Sequence, residues 1–205
     1  MSHPTFDLHI ARSIVDSFAF ATSIRCRLLD EKGEILYQQG DPMDECQFLK
    51  GLPGEPPSCD NLHLRSMYQA ERFGGRYIYS CAAGLTYFSA PIIIGSALAG
   101  ALVAGPVLIM EPEDLLDDII ERRGIPGGGI RPVRQFFSNL PQVEPSRLNH
   151  MSTQLCANAV YISDNSHALL MIKNESNQQR SIGEYVQQLK SSGSTIPYPV
   201  ERSRS

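Results

Sequence analysis

Apolar positions along the chain change their period several times, and each change marks an element. Between residues 6 and 21, Ile10, Ile14 and Phe18 recur every four residues, and Phe6 and Val15 widen the same stripe, which predicts a helix. From Ile24 the period falls to two, with Ile24, Cys26 and Leu28 alternating with Arg25, Arg27 and Leu29. Asp30-Glu31-Lys32-Gly33 is turn chemistry, and residues 34–38 carry Ile35 and Tyr37 on one face, so the segment predicts a β-hairpin. A short helix over 44–50 follows, then a Gly/Pro-rich loop over 51–57. Ser58 stands where an N-cap belongs, ahead of a helix over 59–73 closed by Gly74-Gly75.

Alternation returns at 76–80, where Tyr77, Tyr79 and Cys81 share one side and Ile78 takes the other. Strands over 86–94 and 97–109 are separated by Gly95-Ser96. Residues 112–123 carry helix punctuation: Pro112 at the start, Glu113 and Asp114 in the first turn, Arg122 and Arg123 in the last, then Gly124. Gly127-Gly128-Gly129 reads as a flexible connection. A long helix is expected over 145–174, with Leu148, Met151, Leu155, Ala159, Ile162, Ser166 and Leu169 forming a heptad-like seam that packs on the domain or on a second chain. The polar run 175–180 is expected to break it before an amphipathic stretch over 182–189, and the tail from Ser191 has no periodicity.

Five strands with helices between and at both ends predict an α+β fold: a PAS/GAF-like antiparallel sheet of about five strands with flanking helices and a long C-terminal helix. The boundaries implied are a sensing domain over 1–176 and a helical connector over 177–205 leading towards an output domain absent from this chain. Composition agrees with a packed interior, since hydrophobic residues make up 42% of the 205 positions and charged ones 20%. A net charge of −4 lacks the basic field of a dedicated nucleic-acid binder. Five cysteines are too few, and odd in number, for a secreted disulfide framework. Residues 92–110 are uncharged and long enough to cross a bilayer, but Gly95, Gly100, Gly105 and Pro106 interrupt them, so strands are expected there. With no membrane span and no targeting signal read at the start, the expected location is the cytoplasm.

The candidate chemistry is sparse. Cys46, Cys59 and Cys81 lie on or beside three elements, and Cys59 and His63 have i, i+4 spacing on one predicted helix face. That quartet admits a zinc or redox-thiol sensor, although no C-x-x-C pair accompanies it. Cys26 and Cys156 fall on apolar stripes and read as core. No G-x-S-x-G, P-loop or dinucleotide fingerprint is present, so the chain is not read as an enzyme and no cofactor is implied. Tyr77, Tyr79 and Tyr87 place phenol hydroxyls near an otherwise apolar sheet surface, the mixture that small-molecule pockets use.

The run from Cys81 through Gly84-Leu85, Phe88 and Pro91-Ile92 resembles the core of the PocR-type sensory domain. Cys46, Cys59, the Pro-rich loop between them and the Gly100…Gly105-Pro106-Val107-Leu108 segment fall in the family's order, so the resemblance covers about residues 24–109. Two departures stand out: Cys81-Ala82 where many members have Cys-His, and Gly105-Pro106 where many have Gly-Gln. The resemblance implies a PAS-like sensor of small hydrocarbon derivatives such as propanediol, commonly joined to an AraC-type DNA-binding domain. The tail Ile196-Pro-Tyr-Pro-Val-Glu201 resembles the connector before such a domain.

The resulting expectation is a sensor domain of a transcriptional regulator. A short diol, propanediol- or glycerol-like, is expected among Cys46, Cys59, His63, Met67, Tyr77, Tyr79, Cys81 and Tyr87, with hydroxyls bonded to groups such as Tyr79 and His63. Ligand is expected to change helix packing or the geometry of a homodimer, with DNA contacted only through another domain. The alternative is the cysteine-based redox or zinc sensor built on Cys46, Cys59, His63 and Cys81.

Overall fold

The computed structural model of the chain describes residues 5–41, 45–54 and 61–191, with nearly all of its described side chains lying at or before Ser166. The elements run α1 (Leu8–Thr22), β1 (Cys26–Asp30), β2 (Ile35–Gln39), α2 (Glu45–Lys50), α3 (Leu62–Arg72), β3 (Tyr77–Ser80), β4 (Thr86–Ile94), β5 (Ala97–Val107), α4 (Pro112–Arg123), α5 (Gly127–Ser138) and α6 (Pro145–Ser191). The five strands form one antiparallel sheet in the order β2-β1-β5-β4-β3. This is the α+β arrangement expected from the strand and helix periods. The chain divides after Ser166 into two units, the first holding the whole sheet.

Alternation along the central strands sends side chains to two different layers. On one side Ile24, Cys26, Leu28, Phe88, Ala90, Ile92, Leu102 and Ala104 pack with Val15 and Phe18 of α1 and with Leu148, Leu155 and Ile162 of α6. Up to Ser166, therefore, the heptad-like seam of α6 packs on the domain itself; Leu169 lies outside the described side chains. Asp7 caps α1, its Oδ1 accepting from the amides of His9 and Ile10, and its own amide donates to Ser166 Oγ at 3.1 Å. On the other side α3 lays Met67 on Leu29, Ala101 and Val103, while α2, α4 and α5 close over Tyr79, Leu85, Tyr87 and Leu108.

The charge-free segment 92–110 folds as the end of β4, a turn and β5, and among the described residues no helix is long and apolar enough to cross a membrane. Two other segments differ from expectation. Gly127-Gly128-Gly129 is the first turn of α5, not a flexible connection. Each glycine costs about 1 kcal/mol in a helix, but Val133, Phe136 and Phe137 are buried and Phe136 stacks on Phe48 of α2 at 4.3 Å. Burial of those side chains outweighs the local preference. The polar run 175–180 does not break α6 either, because it holds no glycine or proline, and polarity removes a packing face without removing helical backbone bonds. α3 starts at Leu62 rather than 59, behind Asn61 in the left-handed region; Ser58 and Cys59 lie outside the described residues.

One arginine ties the α4–α5 layer to α2. Arg123, the last residue of α4, donates to the carbonyls of Leu49, Leu52 and Pro53 at 2.7–2.9 Å, satisfying groups that the end of α2 leaves open. Phe137, fully buried in the same layer, should be its main anchor. Phe137→Ala is expected to cost about 3–5 kcal/mol, read as a lowered urea midpoint; a loss under 1 kcal/mol would mean that α5 is not packed as described.

Candidate functional site

Arg25, immediately before β1, and Arg27, its second residue, stand at alternate positions and pair with the same carboxylate, so both point to the side covered by α2 and α3. Both are buried, at 6% and 7% exposure, because β1 is an inner strand with helices over it. Two buried guanidiniums require a counter-charge. Glu45, the first residue of α2 and 1% exposed, supplies it: Oε2 pairs with Arg25 Nη2, and Oε1 accepts from Arg27 Nη2 at 2.8 Å and from the Tyr87 hydroxyl at 3.0 Å. Burial alone would push this carboxyl up, but Arg27 and Arg25 outweigh that and hold it below the usual carboxylate range.

Behind Arg27 the cluster turns neutral. Arg27 Nη1 lies 3.3 Å from His63 Nε2, and His63 Nδ1 lies 2.7 Å from the Tyr79 hydroxyl. A guanidinium only donates, so Nε2 accepts and the ring proton sits on Nδ1, facing Tyr79. Burial first, and then the charge of Arg27, push His63 down to about 4. Tyr79 and Tyr87 are both held above the ordinary phenol range, chiefly by burial. Their rings stack at 5.7 Å, and the stack continues through Tyr77 to exposed Phe73 at 5.8 and 5.9 Å.

The expected site residues divide as follows. His63, Tyr79 and Tyr87 come together, with His63 edge-on to both tyrosines at 6.0 and 5.0 Å. Tyr77 stands on the outer step of the stack. Cys46 is half-buried on α2, and Cys81, after β3, packs partly buried against the cluster that holds Tyr79 and Tyr87. Met67 is fully buried in the small core under α3. Cys59 lies outside the described residues. Among the described residues no group of three His, Cys, Asp or Glu side chains is placed to hold a metal ion. Cys26 is wholly buried and its thiol is pushed up to about 12, mainly by burial, as suits a core residue.

Arg25, Arg27 and Glu45 were not among the expected residues. Their signal is faint: two arginines on one side of a strand whose other side is apolar read as a solvated face, and nothing local announces that α2 will cover them. At the Arg25 end the cluster opens into a cavity of about 110 Å³. Arg25, Glu45, Asp41, Ser23 and Asn139 give it polar walls, and Pro106, Leu140 and Pro141 an apolar one. Arg25 Nη1 also donates to the Asp41 carbonyl at 3.0 Å, fixing the mouth. The segment at the far wall leads into α6: Leu108 N–H donates to Pro141 O at 2.9 Å and Val143 N–H to Leu108 O at 2.8 Å.

A family model described as the sensory domain found in PocR matches residues 5–167. Regulatory protein PocR of Salmonella typhimurium is 24% identical over 117 residues, 57% of this chain and 39% of that protein, so the match spans about two fifths of the curated relative. Among solved structures, the E. coli DhaR(N)–DhaL complex aligns with a TM-score of 0.43 at 13% identity, covering 89% of this chain and 53% of that one. GAF3 of Slr1393 from Synechocystis aligns with a TM-score of 0.42 at 14% identity, covering 80% and 96%.

Two outcomes follow from this geometry. Glu45→Gln leaves two buried guanidiniums without their carboxylate and should cost about 3–5 kcal/mol; a chemical denaturation midpoint within error of the wild type would refute the pairing. His63 stays neutral in the folded chain down to about 4, whereas the unfolded imidazole takes a proton below its ordinary 6.5. Acid therefore favours the unfolded chain, and stability falls as pH drops from 6.5 towards 4, by about 2–3 kcal/mol from this group. Glu45, held low by its arginines, loses its contribution below that window, in the same direction. His63→Asn should flatten the melting temperature between pH 6.5 and 5; an unchanged slope would mean that His63 is not buried neutral.

Proposed function

This chain belongs to the family of sensory domains found in PocR, and we propose on that premise that it senses a short diol, propanediol- or glycerol-like, held at the Arg25 end of the buried polar cluster. The observation that carries the reading is the cavity of about 110 Å³ walled by a nine-tenths-buried ion pair. A cavity of ~150 Å³ takes benzene, six heavy atoms, so this volume suits the five heavy atoms of a three-carbon diol. Arg25 offers donors, the Glu45 carboxylate and the Asp41 carbonyl offer acceptors, and Pro106, Leu140 and Pro141 suit a methyl or methylene edge. Glu45 is shared between Arg25 and Arg27, so its charge is already matched and the site favours an uncharged guest over an ion.

His63, Tyr79, Tyr87 and Arg27 serve this site by holding Glu45, since His63 and Tyr79 spend their facing polar atoms on each other. Hydrogen bonds to charged partners contribute about 1.5–3 kcal/mol each, so two of them give a dissociation constant in the micromolar-to-millimolar range. The ligand would be read out where it touches residues 139–141, the connector bonded to Leu108 and leading into α6. In a longer regulator this would change helix packing ahead of a separate DNA-binding domain.

Thermal shift with 1,2-propanediol and glycerol tests the proposal. At 100 times the dissociation constant the gain is about 2.7 kcal/mol, or roughly 5–10 °C for a domain of this size. Asn139→Leu fills the cavity from an exposed position and should abolish the shift while leaving the unliganded melt unchanged. No shift with either diol, or an equal shift in the filled variant from a general co-solvent effect, would overturn the reading.

A further inference from the structure

The buried seam of α6 ends on hydroxyls. Leu148, Met151, Leu155, Ala159 and Ile162 pack into the sheet core, and they are followed by Ser163, half-buried, and Ser166, 3% exposed. Each of these hydroxyls accepts from a backbone amide of another element. β3 stops opposite Ser89, so beyond that point one edge of β4 has no strand beside it among the described residues; Ile93, in that stretch, donates its amide to Ser163 Oγ at 3.0 Å. Asp7 is the N-cap of α1, whose first amides have no partner within the helix, and its own amide donates to Ser166 Oγ at 3.1 Å. The same stretch of α6 is also bonded back onto itself. Ser163 Oγ donates to the Ala159 carbonyl and Asn165 Nδ2 to the Tyr161 carbonyl, both at 2.9 Å. A side-chain donor on a helical carbonyl competes with the ladder bond and favours a bend there.

We propose that Ser163 and Ser166 are a latch, from which the end of α6 in the sheet unit lifts off Ile93 and Asp7 in one movement while the apolar seam up to Ile162 stays seated. The two parts of the helix differ in what water can replace. Lifting Leu155 or Ile162 exposes apolar surface, which water penalises. Lifting the two serines exchanges two neutral hydrogen bonds for bonds to water, at little net cost. The latched and released positions therefore lie close in free energy, which is the condition for a two-position element. The carbonyls of Ala159 and Tyr161 supply the bend on which it turns. Both latch bonds sit where α6 leaves the sheet unit, whose last residue is Ser166, and the helix runs on to Ser191. The latch goes beyond the ligand reading and does not depend on what fills the cavity at Arg25.

Amide hydrogen exchange of the whole chain, read by NMR without ligand, decides it. The Asp7 and Ile93 amides should exchange through an opening that low urea leaves unchanged, well before the amides of Leu102 and Leu155, which wait for global unfolding. The cross effects carry the test, measured without urea, where global unfolding is too rare to contribute. Ser166→Ala frees the Asp7 amide directly; it should also speed exchange at Ile93 by roughly two- to tenfold, the worth of one neutral hydrogen bond. Ser163→Ala should do the same at Asp7. If each variant speeds only the amide it touches, the two bonds do not open as one and the latch is overturned. Wild-type Asp7 and Ile93 amides as slow as that of Leu102 would also overturn it, because the end of α6 would then be held as firmly as the core.

Discussion

The Glu45 carboxylate is what permits this sheet to be covered on both sides. β1 is an inner strand, yet Arg27 within it and Arg25 just before it are directed at the α2–α3 layer. Burying them without a partner would cost more than the layer gains. One carboxylate at the first residue of α2 answers both, and the Tyr87 hydroxyl shares an oxygen with Arg27. The position of α2 is thereby set by electrostatics at its start, by Leu49 and the Phe48–Phe136 stack along its length, and by Arg123 on its last carbonyls.

The two faces of the sheet divide the labour. The α1–α6 side is apolar and its alternation is regular, so it supplies cohesion. The α2–α3 side gives up part of its apolar area to a continuous polar chain from Arg25 through Glu45 and Arg27 to His63 and Tyr79. Such a chain is costly unless every member is satisfied, and a neutral imidazole with one donor and one acceptor nitrogen fits between a guanidinium and a phenol where an ammonium or carboxylate would not. The same cost couples its members, since losing any one bond leaves its partner buried and unpaired.

The connector from α5 to α6 ties the cavity wall to the end of the sheet and to the start of α6. Residues 139–141 form a cavity wall, residues 141–143 are bonded to the end of the sheet at Leu108, and α6 begins at Pro145. The first half of α6 is in turn packed on the sheet by Leu148, Leu155 and Ile162. Packed helices shift between discrete positions more readily than they bend, which suits a domain whose task is to report occupancy.

Much of the fold was legible in residue order alone, because it rests on local periodicity. The two-residue alternation of Ile24, Cys26 and Leu28, the Gly95-Ser96 turn and the punctuation of α4 each state their element without reference to the rest of the chain. The tyrosines and His63 were legible as a polar group on an apolar sheet. What the tertiary structure decided was wherever burial overrides a local signal. Three glycines became a helix because Phe136 and Phe137 had a core to enter. Arg25 and Arg27, which look solvated beside an apolar face, became the centre of the site because α2, distant by some twenty residues, brings Glu45 over them. A side chain's period reveals which way it points, but only the assembled layers determine whether water or protein waits there.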